Sequence, residues 1–239
     1  PVGVSSEEKH RIGLNTQTWA VIGEVAPLDR ARKALDSAHE KLNSPFGLAL
    51  MWPPYVEGND RVRGTTTYPP GAKENGGIFC HAHTFAIVAS ARLGLAERAL
   101  SYYREITPFA HAKDVERMKV EPYVFCGNIA SREHEQYGYA RNAWLSGTAT
   151  WAYVAATQWI LGIRPTHRGL EIAPVVPDDW RGFEATRIFR GVRYAISVVR
   201  VGKGGAVSLK VGGRTLDGTV IPFPPAGTTD VAVEVRLGA

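Results

Sequence analysis

Apolar and polar positions alternate with two different periods along the chain, and the change falls near Gly162. Before it the spacing is helical. Residues 16–26 (TQTWAVIGEVA) are apolar on most sides, and Asp29 precedes RARKALDSAHEKL, where Ala31, Ala34, Leu35, Ala38 and Leu42 recur at helical intervals. Residues 84–94 and 96–106 form a second helical pair, divided by Gly94 as a stop signal. Residues 143–162 (AWLSGTATWAYVAATQWILG) predict a long helix, apolar nearly all round and therefore buried. After Gly162 come short alternating runs such as GLEIAPVV, VRYAISVVRV and DVAVEVRL, punctuated by glycine pairs and Asp-Gly. These predict antiparallel strands and hairpins.

The pattern predicts a mainly α part over 1–162 and a β module over 163–239. Paired helices, one buried and one amphipathic, fit two concentric layers, as in an α/α barrel. Two long stretches, roughly 43–83 and 107–142, interrupt the helices and are rich in Gly, Pro, Tyr, His, Arg and Glu. Loops beyond about 15 residues are uncommon in a compact domain unless they carry function. The chain starts at Pro1 and moves almost directly into a core-like helix. It therefore reads as part of something longer.

Composition narrows the classes. At 239 residues with 44% hydrophobic and 21% charged side chains, the chain reads as globular. Residues 1–162 carry 17 basic and 16 acidic side chains, and 163–239 carry 11 and 7. The excess is scattered arginines rather than a dense basic run, which argues against a nucleic-acid partner. No stretch has the roughly 18 apolar residues of a membrane span. Cys80 and Cys126 make no disulfide framework, and two free thiols are expected in a cytoplasmic setting.

The densest chemistry lies in YPPGAKENGGIFCHAHTF, residues 68–85. Tyr68-Pro-Pro-Gly71 predicts a rigid turn, and Gly76-Gly77 permits close backbone approach. His81 and His83 fall just before a helix expected to start near Thr84, where free N–H groups favour anions. Each is either an anion ligand or a packed histidine, and position alone favours packing. The Cys80-His81-x-His83 spacing is too tight for a tetrahedral metal site. Ser146-Gly147-Thr148, in WLSGTATW, offers hydroxyls and accessible N–H groups as a second anion-cradling element. Glu74, Glu121, Glu133 and Glu135 are carboxylates from which spacing alone selects no catalytic pair.

KENGGIFCH (73–81), VEPYVFC (120–126) and WLSGTATW (144–151), together with GLEIAP (169–174) and FRGVRY (189–194), closely resemble the inverting disaccharide phosphorylases of glycoside hydrolase family 94. The resemblance implies part of an (α/α)6 barrel followed by a C-terminal antiparallel β-sandwich. It implies attack of inorganic phosphate on a β-linked disaccharide or oligosaccharide, giving a sugar 1-phosphate, with phosphate as co-substrate and no other cofactor or metal. By resemblance, His81, Ser146 and Gly147 bind phosphate, Lys73 contacts the donor sugar and Tyr68 belongs to the acceptor site. The family's general-acid Asp and a phosphate-binding Arg match nothing here and are expected upstream of this chain. Two departures bear on the sugar sites: Gly64, beside Arg63, stands where cellobiose-type members carry Glu, and Gly127 where they carry Gln. Arg63 would suit an acidic acceptor. A part-barrel also implies association with the missing N-terminal portion or a second copy, and no turnover by these 239 residues alone. The rival readings are a non-catalytic carbohydrate-binding remnant, and a hydrolase or transferase of the same fold.

Overall fold

A computed structural model describes residues 3–56 and 62–238, so residues 57–61 of the first long loop lie outside the described residues. The chain is mixed α/β with several small antiparallel sheets, and it divides into two compact units. One contains the chain up to Leu93 together with Arg98–Ala155, and the other contains Gly94–Glu97 and the chain from Ala156 onward.

In the first unit, β1 (Ile12–Gly13) leads into α1 (Leu14–Ile22) and then α2 (Leu28–Leu42). Ala31, Leu35, Ala38 and Leu42 are the buried stripe of α2. Asp29 lies in its first turn and His39 and Lys41 in its last, which complements the helix dipole. The central element is α3 (Cys80–Arg92), buried along most of its length, with α1, α2 and α6 (Thr148–Val154) packed against it. Its alanines at 82, 86, 89 and 91 leave room for that close approach. Two further helices, α4 (Ala96–Ile106) and α5 (Val115–Met118), precede α6.

Two expectations change here. Helix α3 begins at Cys80 rather than near Thr84, because Phe79 is the last extended residue. His81 and His83 therefore lie within its first turn instead of ahead of it. The expected buried helix over 143–162 starts only at Thr148, after left-handed Asn142 and Trp144, and Ala155–Ile160 is π-helical. Trp144, Leu145 and Tyr153 are exposed, so this segment is not apolar-buried all round.

The long loops are drawn together by short strands that hydrophobic periodicity did not announce. β1 pairs with β2 (Met51–Trp52). β3 (Ile78–Phe79), β4 (Asn128–Ile129) and β5 (Ala140–Arg141) form an antiparallel ribbon in which Phe79 faces Asn128 and Asn128 faces Arg141. Trp52 also donates its indole N–H to Glu133 at 3.1 Å.

The second unit is strand-rich. β6 (Ile163–Thr166) and β7 (Gly169–Ile172) form a hairpin that is joined by β12 (Val220–Pro222). The larger sheet contains β8 (Gly182–Phe189), β9 (Val192–Arg200), β10 (Val207–Val211), β11 (Arg214–Leu216) and β13 (Asp230–Leu237), in the order β11-β10-β13-β9-β8. Tyr194, Ile196 and Val198 alternate with more exposed neighbours on β9, as do Val233, Val235 and Leu237 on β13.

The sheet is not wholly antiparallel as expected. β13 runs parallel to β9, from Asp230 opposite Arg193 to Leu237 opposite Arg200. The physical reason is the connection: the β10–β11 hairpin and β12 intervene, supplying the crossover that a parallel pair requires.

Candidate functional site

The sequence-singled residues fall into two clusters in the first unit, with Arg63 in neither. The first cluster is centred on His81, the second residue of α3. Its ring packs against Phe85 one turn later (centroids 5.2 Å apart) and Trp151 of α6 (6.1 Å). On its other side lies Gly147. A β-carbon there would stand 3.1 Å from Cε1 and 3.2 Å from Nδ1, so any side chain would press on the imidazole. The glycine's φ of −74° is ordinary, so close approach rather than backbone freedom requires it. His81 Nε2 is buried and has no hydrogen-bond partner among the described residues. A buried, unpaired ring nitrogen costs about 1–3 kcal/mol unless a ligand satisfies it.

Beside it, Ser146 Oγ accepts a hydrogen bond from the Thr148 N–H at 3.0 Å, and the two hydroxyls share a very short contact. Thr148 is fully buried and also donates to the Cys126 carbonyl at 3.2 Å. The WLSG turn is thus fastened to the segment bearing Cys126 and Gly127. The Gly127 N–H donates to the carbonyls of Arg141 and Asn142, and a β-carbon on Gly127 would sit 3.0 Å from Asn142 Cβ. Asn142 Oδ1 accepts from Asn128 Nδ2 at 2.9 Å, and Asn142 Cβ with the Asn142 and Leu145 carbonyls crowds the position from which a side chain at 127 would project.

Behind this wall, Cys80 and Cys126 are free, buried thiols with sulfurs 3.7 Å apart. The contact with Cys126, reinforced by burial, pushes the Cys80 thiol up, while the same contact draws Cys126 down against the opposing effect of burial. Among the described residues no group of three or more His, Cys, Asp or Glu could hold a metal ion.

The second cluster joins Lys73 and Tyr68. Lys73 Nζ lies 5.1 Å from the centre of the Tyr68 ring, a cation–π distance. Lys73 has a left-handed φ of 45°, which turns its side chain back over Tyr68. The residue that fixes this loop is one that sequence reasoning passed over. Asn75 is 1% exposed. Its Oδ1 accepts from the Tyr55 N–H, and its Nδ2 donates to the Tyr55 and Tyr68 carbonyls, all at 2.9 Å. The Asn75 N–H and carbonyl close the turn on Ala72 and Gly71. Side-chain amides that bond backbone on both faces are typical turn-locking groups, and the asparagine within KENGG was the available signal.

Arg63 is exposed, and its side chain meets neither cluster among the described residues. His83 is structural. Nδ1 accepts from the Leu48 N–H at 2.9 Å, which leaves the proton on Nε2 to donate to the Tyr102 carbonyl at 2.8 Å. Burial pulls its pKa from 6.5 to about 4. Glu105 Oε2, 4.0 Å away, is buried without a hydrogen-bond partner, and burial raises that carboxyl to about 7.

This arrangement is an unsatisfied imidazole beside a Ser-Gly turn, with a lysine and tyrosine on the neighbouring loop of a mixed α/β chain. Residues 1–162 match the family described as the glycosyl hydrolase 94 superfamily, catalytic domain. The chain belongs to that superfamily. It is 37% identical over 240 residues to N,N'-diacetylchitobiose phosphorylase of Vibrio proteolyticus and 38% identical to that of Vibrio furnissii, in each case over 99% of this chain and 30% of the relative. It is also 34% identical to solabiose phosphorylase of Paenibacillus borealis, over 99% of this chain and 31% of that protein. The chain thus spans 30–31% of the length of these relatives. Among the described residues no helix is long and apolar enough to cross a membrane.

Proposed function

We propose that this chain forms the phosphate-binding wall and part of the sugar-binding wall of an inverting glycoside phosphorylase. In this reading residues 1–162 are the later half of an (α/α)6 barrel and residues 163–239 a β-sandwich. Inorganic phosphate attacks the anomeric carbon of a β-linked saccharide. One phosphate oxygen forms the new C–O bond, the glycosidic C–O bond breaks, and an Asp general acid from outside these residues protonates the departing oxygen. Phosphate is itself the nucleophile, so the chain's task is to bind and orient it.

His81 donates from Nε2 to a phosphate oxygen, and the Ser146 hydroxyl contributes a second contact. Gly147 lets imidazole and anion approach each other. Lys73 and Tyr68 address the donor and acceptor sugars. The complete site is assembled with the rest of the enzyme or a second copy of the chain.

The observation that carries this reading is the buried, unpartnered His81 Nε2 lying against Gly147. It is tested in the full-length protein by following sugar 1-phosphate release. His81→Ala should raise the phosphate KM by about 10–100-fold, the loss expected for one charge-assisted hydrogen bond, with little change in the saccharide KM. Saccharide cleavage at an unchanged rate without phosphate would instead mark a hydrolase or transferase. Saccharide binding without turnover would mark a non-catalytic module. The 239 residues alone should not turn over.

A further inference from the structure

Two exposed aromatic side chains adjoin the candidate phosphate wall and have no part in the roles given above. Trp144 is 70% exposed and Tyr123 74%, yet both are fixed in place. Their rings meet edge to face with centroids 6.5 Å apart. The Trp144 indole N–H donates to Glu121 Oε1 at 3.3 Å. Trp144 also has a φ of 67°, a left-handed conformation that is a genuine outlier for a bulky residue. Such backbone costs about 1–3 kcal/mol and persists where surrounding structure over-determines it, commonly at ligand sites.

Backbone hydrogen bonds brace both loops. The Gly127 N–H ties its own loop to Arg141 and Asn142, and a β-carbon on Gly127 would stand 3.4 Å from the Leu145 carbonyl. The Val124 N–H closes a turn on the Glu121 carbonyl at 3.1 Å. The two aromatics therefore project from loops whose bases are the Cys126–Gly127 and Ser146–Gly147 segments. Single exposed apolar residues are ordinary. An aromatic pair with a carboxylate bonded to one ring, on strained backbone two residues from the candidate anion site, is a built surface.

We infer that Glu121, Tyr123 and Trp144 form a platform for a neutral pyranose ring of the saccharide substrate. The C–H face of a pyranose is apolar and packs on an aromatic face, while its rim of hydroxyls needs acceptors. Glu121 Oε1 orients the indole, and Oε2 is placed to accept a sugar hydroxyl. A uronate at this position would meet the Glu121 carboxylate as a like charge. The platform therefore discriminates against acidic sugars, opposite to the choice an Arg63 contact would make.

The assignment of this sugar to phosphorolysis rests on the proposed function, but binding does not, and the two are separable. In the full-length protein, isothermal titration without phosphate would use cellotriose, chitotriose and a β-linked disaccharide ending in glucuronate. Trp144→Ala should weaken the better neutral ligand about tenfold and raise the saccharide KM similarly, leaving the phosphate KM within about twofold. Trp144→Phe should recover most of the loss, and Glu121→Gln should narrow the preference for neutral over acidic ligand. Tyr123→Ala reports on the same platform if Trp144→Ala fails to fold. Unchanged saccharide affinity in the aromatic variants, equal losses for phosphate and saccharide, or no binding of any probe by wild type overturns the platform. Binding that depends on Trp144 without phosphate-dependent turnover supports the platform and rejects the phosphorylase reading alone.

Discussion

The imidazole of His81 rests on Gly147, close enough that even one methyl group on that glycine would displace it. Gly147→Ala should therefore act as a positional lesion in the proposed phosphate site without removing any hydrogen-bonding group. A rise of about tenfold in the phosphate KM is expected, with a stability change under about 1 kcal/mol because Gly147 is exposed and has ordinary φ. Steady-state kinetics at varied phosphate, beside a denaturant titration, checks both halves.

Asn75 exerts its effect through the loop it locks. Asn75→Ala removes three hydrogen bonds to two chain segments, two of them buried and one half-buried, leaving the Tyr55 and Tyr68 backbone groups without them. The expected cost is about 2–4 kcal/mol, read as a lower unfolding midpoint. If Lys73 and Tyr68 hold the sugars as proposed, saccharide KM should rise together with it, since Asn75 bonds the Tyr68 carbonyl and closes the turn that carries both. Asn75→Asp should be no better, because a carboxylate cannot donate to the Tyr55 and Tyr68 carbonyls.

His83 and Glu105 make opposing contributions to the pH dependence of stability. Burial lowers His83 from 6.5 to about 4, so between those values the unfolded chain binds the extra proton and stability is lost as pH falls. Burial raises Glu105 from 4.5 to about 7, so there the folded chain binds the extra proton and stability is lost as pH rises. The two windows overlap with opposite sign, and the contributions of these two groups should nearly cancel between them. Glu105→Gln removes one side of the balance. Its stability should fall by about 3 kcal/mol from pH 6.5 to pH 4, relative to wild type, as measured by denaturant titrations at several pH values.

Arg200 anchors the strand-rich unit. Its guanidinium donates to the carbonyls of Val176, Pro177, Trp180, Gly202 and Gly204 and to the Asp178 carboxylate, all within 3.1 Å. Arg200→Met should cost about 3 kcal/mol or more, because several carbonyls lose a charged donor together. Arg200→Lys should recover little, since a single ammonium cannot span that fan of acceptors. Thermal unfolding of the two variants distinguishes these outcomes.

The parts of the fold carried by repeated apolar spacing were legible. The stripe Ala31, Leu35, Ala38, Leu42 is buried as the periodicity requires, and the alternation from residue 192 to 200 is strand β9. What was not legible depends on distant partners. Two-residue strands such as Ile78–Phe79 have no period, and only the pairing with Asn128–Ile129 creates them. The start of α3 at Cys80 follows from that ribbon, which holds Phe79 extended just before it. Residues 143–147 look helical in isolation, but left-handed Asn142 and Trp144 delay the helix to Thr148. His83 shows the same limit: its two backbone partners, Leu48 and Tyr102, are 35 and 19 residues away.

The parallel pairing of β13 with β9 also bears on the order of assembly. β13 is the strand that connects the β10–β11 hairpin to β9 in the larger sheet. Until Asp230–Leu237 has emerged from the ribosome, that hairpin has no neighbour in the sheet and β9 has an open edge. Assembly of this unit is therefore a non-local, comparatively slow event. A nascent chain paused before residue 230 exposes strand edges of the kind that invite intermolecular pairing.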